Sequence, residues 1–221
     1  MEQKIVINRG KKYRVNVPSW LDNGGGPSNL GLNASSVIWL TSNTVQVTYN
    51  WNSSNELLDW VPNTNSSLSV SSNAVNITGG QSDIYGMTWK QRMAIKNIKI
   101  QENPLSTAYC NVYLNLPPTW HGETWNPSGV LGHIWYSGTG IWMPGGIPDP
   151  SGAGPLSTNT WYTFEFDASP TLLQVRSSSD GNAWHTKSGA FTQTTSDILG
   201  LGTYGGVARW GPLIIEGVVS V

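Results

Sequence analysis

Cysteine is almost missing from this sequence: Cys110 stands alone among 221 residues, so no intramolecular disulfide can staple the chain. Set in Ala108-Tyr-Cys-Asn-Val-Tyr-Leu114, it reads as an inert thiol buried in a strand. Charge is scarce as well. Asp, Glu, Lys and Arg make up 11% of the chain, roughly half the usual share, and the net charge is -1. A surface so nearly neutral gives no bulk attraction for a nucleic acid or an anionic membrane, and points to neutral partners such as glycans or other proteins. No apolar run approaches the roughly 18 residues that span a bilayer, and Met1-Glu-Gln-Lys4 does not open as a secretory signal does. The expectation is a soluble chain, extracellular, at a cell surface or in a virion, as a mature fragment or by a route needing no signal.

Room for helices is lacking too. The 25 glycines and 13 prolines interrupt the chain so often that no three-turn amphipathic helix fits, while β-branched and aromatic runs recur at short intervals. What is there reads as strand, turn, strand. Strands are expected at Lys12–Val17, Thr44–Asn50, Ala74–Thr78, Ile84–Ile100, Ala108–Leu116, Val130–Tyr136, Thr160–Asp167, Leu172–Ser177 and Leu213–Val221. In the first, Tyr13, Val15 and Val17 alternate with Arg14 and Asn16, as in a half-buried strand. Along Ile84–Ile100 the apolar face runs through Trp89, Met93 and Ile95, then changes phase to Ile98 and Ile100, which predicts a bulge near Lys96-Asn97. Lys90, Arg92 and Lys96 then form a solvated basic row. Residues 36–221 suffice for one sandwich domain. Residues 1–35 differ, with five basic residues in the first 14 and a break at Asp22-Asn-Gly-Gly-Gly-Pro27. They read as an N-terminal arm or edge strands, and as the segment through which copies would self-associate.

Three stretches carry a family likeness. Leu57-Leu-Asp-Trp60 leads to Leu68-Ser-Val70 and Ala74-Val-Asn-Ile-Thr-Gly-Gly80; Trp161-Tyr-Thr-Phe-Glu-Phe-Asp167 leads to Leu172-Leu-Gln-Val-Arg-Ser-Ser-Ser-Asp-Gly-Asn-Ala-Trp184; and Leu213-Ile-Ile-Glu-Gly-Val-Val-Ser-Val221 closes the chain. Over about three quarters of its length the chain thus resembles the concanavalin A-like lectin and glucanase superfamily, which includes laminin G-like domains. The resemblance implies an all-β, antiparallel two-sheet sandwich of the jelly-roll kind, with a saccharide lying in or beside a concave face. Asp180-Gly181 is expected to form a tight turn with positive φ.

Glu165 and Asp167 are the best carboxylate pair, because residues two apart on a strand share a face with Cα atoms roughly 6.6 Å apart. Retaining glycosidases hold their carboxyl groups about 5–5.5 Å apart. The laminarinase-like members of the superfamily carry a third acid two or three residues after the Asp, and here those positions are Ser169 and Pro170. The resemblance fails there, and the expected state of the pair is an exposed strand face without catalysis. Glu216 and Glu123 are further acids from distant segments. His121, His133 and His185 lack the spacing of a zinc site, and no metal is expected. Calcium at Asp180 is the one weak cofactor expectation, set against a plain turn.

Between Pro117 and Gly146, Trp120, Trp125, Trp135, Tyr136 and Trp142 alternate with loop formers, His121 and Glu123. Planar rings on loops offer sugars an apolar face with a polar rim. Trp120, Trp125 and Trp142 are expected to be exposed and, with Tyr136, His121 and Glu123, to bind the ligand; Trp60, Trp89 and Trp161 are assigned to packing. Asn33, Asn52, Asn65 and Asn76 each begin an Asn-x-Ser/Thr sequon. The leading expectation is a non-catalytic carbohydrate-binding protein. Its alternatives are a structural subunit of a virion, appendage or surface layer assembling through the arm, and a glycoside hydrolase or polysaccharide lyase.

Overall fold

The computed structural model describes residues 2–8, 11–17, 30, 33–63, 66–78, 84–105, 109–116, 130–135, 138–142, 157–189, 194–195, 198–204 and 207–220. The first two strands, β1 (Glu2–Asn8) and β2 (Lys11–Val17), form a two-stranded sheet that shares no ladder with the rest. Two larger sheets follow. One contains β3 (Ser36–Trp39), β4 (Thr44–Tyr49), β6 (Ser67–Ser71), β7 (Ala74–Thr78), β9 (Ala94–Pro104), β13 (Tyr162–Ala168), β14 (Leu172–Ser177), β15 (His185–Ser188) and β17 (Ala208–Val218). Its order is β15-β14-β13-β9-β17-β4-β3, with β7 also on β17 and β6 on β7. The other contains β5 (Trp60–Pro62), β8 (Ile84–Trp89), β10 (Tyr109–Leu116), β11 (Val130–Trp135), β12 (Gly138–Trp142) and β16 (Ile198–Tyr204), in the order β12-β11-β10-β16-β8-β5. Every ladder in these two sheets is antiparallel.

Alternation decides the core. In the nine-stranded sheet Val45, Val47, Tyr49, Ile98, Ile100, Phe164, Phe166, Leu173, Val175, Leu213 and Ile215 are buried, while the residues between them are polar or half-exposed. The six-stranded sheet answers with Met87, Trp89, Val112, Leu114, Leu199 and Leu201. Two apolar faces thus close on each other, the arrangement expected of a sandwich. The predicted bulge is present: Glu216 pairs with Asn97 and the next residue, Gly217, with Ile95, so Lys96 is skipped and exposed. The long strand expected over Ile84–Ile100 is instead two strands in different sheets, β8 and β9, with Lys90–Met93 crossing between them. Both halves bury the same alternating residues, so periodicity alone carries no mark of the crossing.

An aromatic corner holds the sheets together. The Tyr49 ring stacks on Trp51 with centroids 5.2 Å apart and meets the edges of Trp60 and Trp89 at 5.5 and 6.4 Å. Trp60 and Trp89 thus pack as expected. Trp89 Nε1–H donates to the Tyr49 hydroxyl at 2.7 Å, and that hydroxyl donates to the buried Asp59 carboxylate at 2.9 Å. Asp59 also accepts from the Asn33 side-chain amide at 2.8 Å. Leu30 joins the buried cluster, so the segment before β3 reaches into the sandwich.

Candidate functional site

The outer face of the nine-stranded sheet carries a charged ladder set by register. Glu165 on β13 pairs with Lys99 on β9 and with Arg176 on β14, which lines up a cation, an anion and a cation across three strands. Arg176 donates to Glu165 Oε2 from Nε at 3.0 Å and from Nη2 at 2.5 Å, and the Asn97 amide donates to Oε1 at 3.3 Å. Both oxygens of Glu165 are therefore engaged. Partial burial alone pushes this carboxyl up, but the hydrogen bonds from Arg176 and Asn97, with the charges of Arg176 and Lys99, outweigh it and hold the group below its ordinary value. It stays ionised at neutral pH and is unsuited to donate a proton.

Lys99, Thr163, Glu165, Arg176 and Asn182 line an open pocket of about 280 Å³ on this face. Two exposed indoles neighbour its lining residues. The Arg176 guanidinium lies 4.5 Å from the ring centroid of Trp184, which is 39% exposed, a cation–π contact that fixes both groups. Trp161 stands two residues before Thr163 and is 43% exposed. Its ring rests over Gly211: a Cβ added there would lie 3.0 Å from Trp161 Cζ3 and 3.0 Å from Gln101 Cβ. Gln101 in turn pairs with Thr163. The assignment of Trp161 to packing is thereby corrected. The signal that finds it is parity, since Trp161 shares its alternation with Thr163, Glu165 and Asp167, all outward. Trp184, which the sequence reading does not single out, follows the turn in which Gly181 has φ of 76°, the positive value expected of Asp180-Gly181.

Glu165 and Asp167 do share the outer face, with Asp167 beside Asn97 and Gln174. Glu216 pairs with the other side of Asn97. Ser169 and Pro170 lie in the turn between β13 and β14, where Ser169 Oγ accepts from Leu172 N at 3.1 Å. No acid continues the row. Among the described residues no three His, Cys, Asp or Glu side chains converge as metal ligands.

Trp120, His121, Glu123, Trp125 and Tyr136 lie outside the described residues. Trp142 ends β12, its backbone paired with Leu131, and its side chain lies outside them too. The register of the six-stranded sheet nevertheless places one row as Gly140–His133–Asn111–Gly202–Gly86. The rows to either side on the same face hold positions Trp142, Leu131, Tyr113, Gly200 and Thr88, and positions Gly138, Trp135, Tyr109, Tyr204 and Ile84. Between these rows the backbone of Cys110 pairs with Thr203, which is fully buried, and that of Val112 with Leu201.

No protein-family model matches the sequence, and no curated protein matches it. Solved structures do match in shape. The carbohydrate-binding module CBM66 from Bacillus subtilis superposes with a TM-score of 0.52 at 8% identity, covering 69% of this chain and 92% of that one. A β-glucanase from Bacillus licheniformis gives 0.55 at 13% identity, covering 77% and 97%. The Crh5 transglycosylase in complex with NAG gives 0.56 at 14% identity, covering 80% and 84%. At such identities the likeness is one of fold, and with the antiparallel two-sheet topology above it makes this chain a concanavalin A-like jelly-roll sandwich.

Proposed function

We propose that this protein is a non-catalytic carbohydrate-binding module acting outside the cytoplasm, with Trp161, Trp184 and the polar pocket between them as its recognition surface. The observation that carries the reading is that Trp184 stacks on Arg176, which lines a pocket formed by polar and charged residues, and that Trp161, the other exposed tryptophan among the described residues, lies two residues before Thr163 of the same lining. A sugar ring presents an apolar face bounded by hydroxyls, which an exposed indole beside fixed donors and acceptors complements. The absence of catalysis rests on Glu165, whose oxygens are held by Arg176 and Asn97, and on the missing third acid. Trp161→Ala and Trp184→Ala should each weaken binding to the best glycan of an array about tenfold. Their unfolding midpoints should stay close to wild type. An array without any binder, or two alanine variants with undiminished affinity, rules the reading out.

A second platform is supported by the other sheet. A glycine-rich row flanked by rows of aromatic positions runs across its strands, and Trp120, Trp125 and Trp142 with Tyr136, His121 and Glu123 are proposed to supply the ligand contacts beside it. Trp125→Ala separates the two: loss of affinity there, with none in Trp161→Ala, assigns binding to this sheet.

A further inference from the structure

We infer that the pocket beside Trp161 selects saccharides bearing a carboxylate, uronic acid residues, over their neutral counterparts; the inference rests on the recognition surface just proposed. The reason lies in how the charges of the ladder are committed. Arg176 is matched by Glu165 through two hydrogen bonds, and Glu165 has its second oxygen on Asn97. Lys99 is the third member, exposed and lining the same pocket; its charge acts on Glu165 across the ladder, but both Glu165 oxygens already accept hydrogen bonds from Arg176 and Asn97. The pocket lining, with Lys99 and Arg176 against Glu165, therefore carries one net positive charge beside two neutral donors, Thr163 and Asn182. A carboxylate on the ligand supplies the missing partner, and a charge-assisted bond from an ammonium is stronger than a bond to a hydroxyl.

The surrounding charges also set where that carboxylate lies. Asp167 and Glu216 stand on the same face in the next row, one on each side of Asn97, and both repel an anion from that end. In the other direction along the strands come Thr163, Gln101 and Trp161, none of them charged. The ligand ring then stacks toward Trp161 with its carboxylate turned to Lys99, away from the acids.

The test is calorimetric titration of the full chain with oligogalacturonate, oligoglucuronate and oligomannuronate, each beside its neutral hexose counterpart. For at least one pair the acidic oligosaccharide should bind about fivefold tighter at low ionic strength, with the gap shrinking as salt is added. Lys99→Gln should bring the acidic-to-neutral ratio to about one, and Lys99→Arg should restore it. Neutral oligosaccharides that bind as well as or better than every acidic one overturn the carboxylate preference and leave the module reading standing. Failure of all six to bind, with no binder on a glycan array, overturns both.

Discussion

Glu56 shows how one buried side chain can hold a corner of this fold. Its Oε2 accepts from the backbone N–H groups of Asn50 and Trp51, each at 3.0 Å, and from the Ser35 hydroxyl at 3.0 Å. Its Oε1 accepts from Asn52 N–H at 2.7 Å. Trp51 sits at φ of 57°, a left-handed conformation that costs a non-glycine residue about 1 kcal/mol or more. The carboxylate holds the turn in place, and the turn lets Trp51 stack on Tyr49 while its Nε1–H donates to the Gly211 carbonyl at 2.6 Å. Glu56→Ala leaves three backbone donors without this acceptor and should lower stability by about 2 to 4 kcal/mol, read as a shift in urea midpoint. A variant as stable as wild type contradicts this role.

Tyr49 gives the same corner a pH signature. Burial, then the charge of Asp59, raise its hydroxyl well above the ordinary value, and the Trp89 hydrogen bond offsets only part of this. A group raised in the folded state contributes stability that is complete below its unfolded value of about 10 and is lost as pH climbs from there toward the folded value. Between about pH 10 and pH 11 the wild type should therefore lose up to about 1.4 kcal/mol more than Tyr49→Phe, which has no proton to release. Parallel pH profiles would exclude Tyr49 as the source. Two sequons also acquire local meaning: the Asn33 amide donates to Asp59, and the Asn76 amide donates to Ser71 Oγ at 3.0 Å and accepts from Arg209. These amides serve the fold.

At the scale of strands, close approach matters as much as alternation. A Cβ built on Gly86 meets the backbone carbonyl oxygen of Leu201 and lies 2.9 Å from Gly202 Cα, so β8 and β16 run together at a place only glycine allows. Backbone cannot swing aside as a side chain does. Gly86→Ala should cost at least about 2 kcal/mol and broaden amide signals along both strands in NMR spectra. A variant with wild-type stability and spectra would show that the ladder can open there at no cost.

How far the sequence reveals these elements follows from what local pattern encodes. Alternation in β4, β13, β14 and β17 sorts their inward residues, and the phase change from Ile95 to Ile98 marks the bulge at Lys96. The change of sheet between Trp89 and Ala94 has no such mark, because Trp89, Met93 and Ile95 are all buried on either side of it. The site divides in the same way. Glu165 and Asp167 are legible as neighbours, since period two is a property of one strand. That Lys99 and Arg176 flank Glu165 requires the pairing of β13 with β9 and β14. That Trp161 stays outside requires the seat given by Gly211, fifty residues later.

For the molecule as a whole, the last strand is the keystone of the large sheet. Strand β17 pairs with β9, β4 and β7, every partner lying about a hundred residues or more earlier in the chain, and such non-local topologies fold slowly, on the order of milliseconds to seconds. The β1–β2 hairpin is the opposite case: its ladder is local, Glu2 against Val17 through Asn8 against Lys11, and it joins neither sheet. A two-stranded hairpin adds little stability by itself in water. Deleting residues 1–17 should therefore leave the sandwich unfolding in a single transition within about 0.5 kcal/mol of wild type. Glycan affinity should be unchanged, because the pocket lies on strands β9, β13 and β14 and the turn after β14. A midpoint lowered by several kcal/mol at every protein concentration would mean that the hairpin packs on its own sandwich. A loss that appears only as the protein is diluted would mean that the hairpin reaches a second copy, and in that case sedimentation should show the intact chain associating where the shortened one does not.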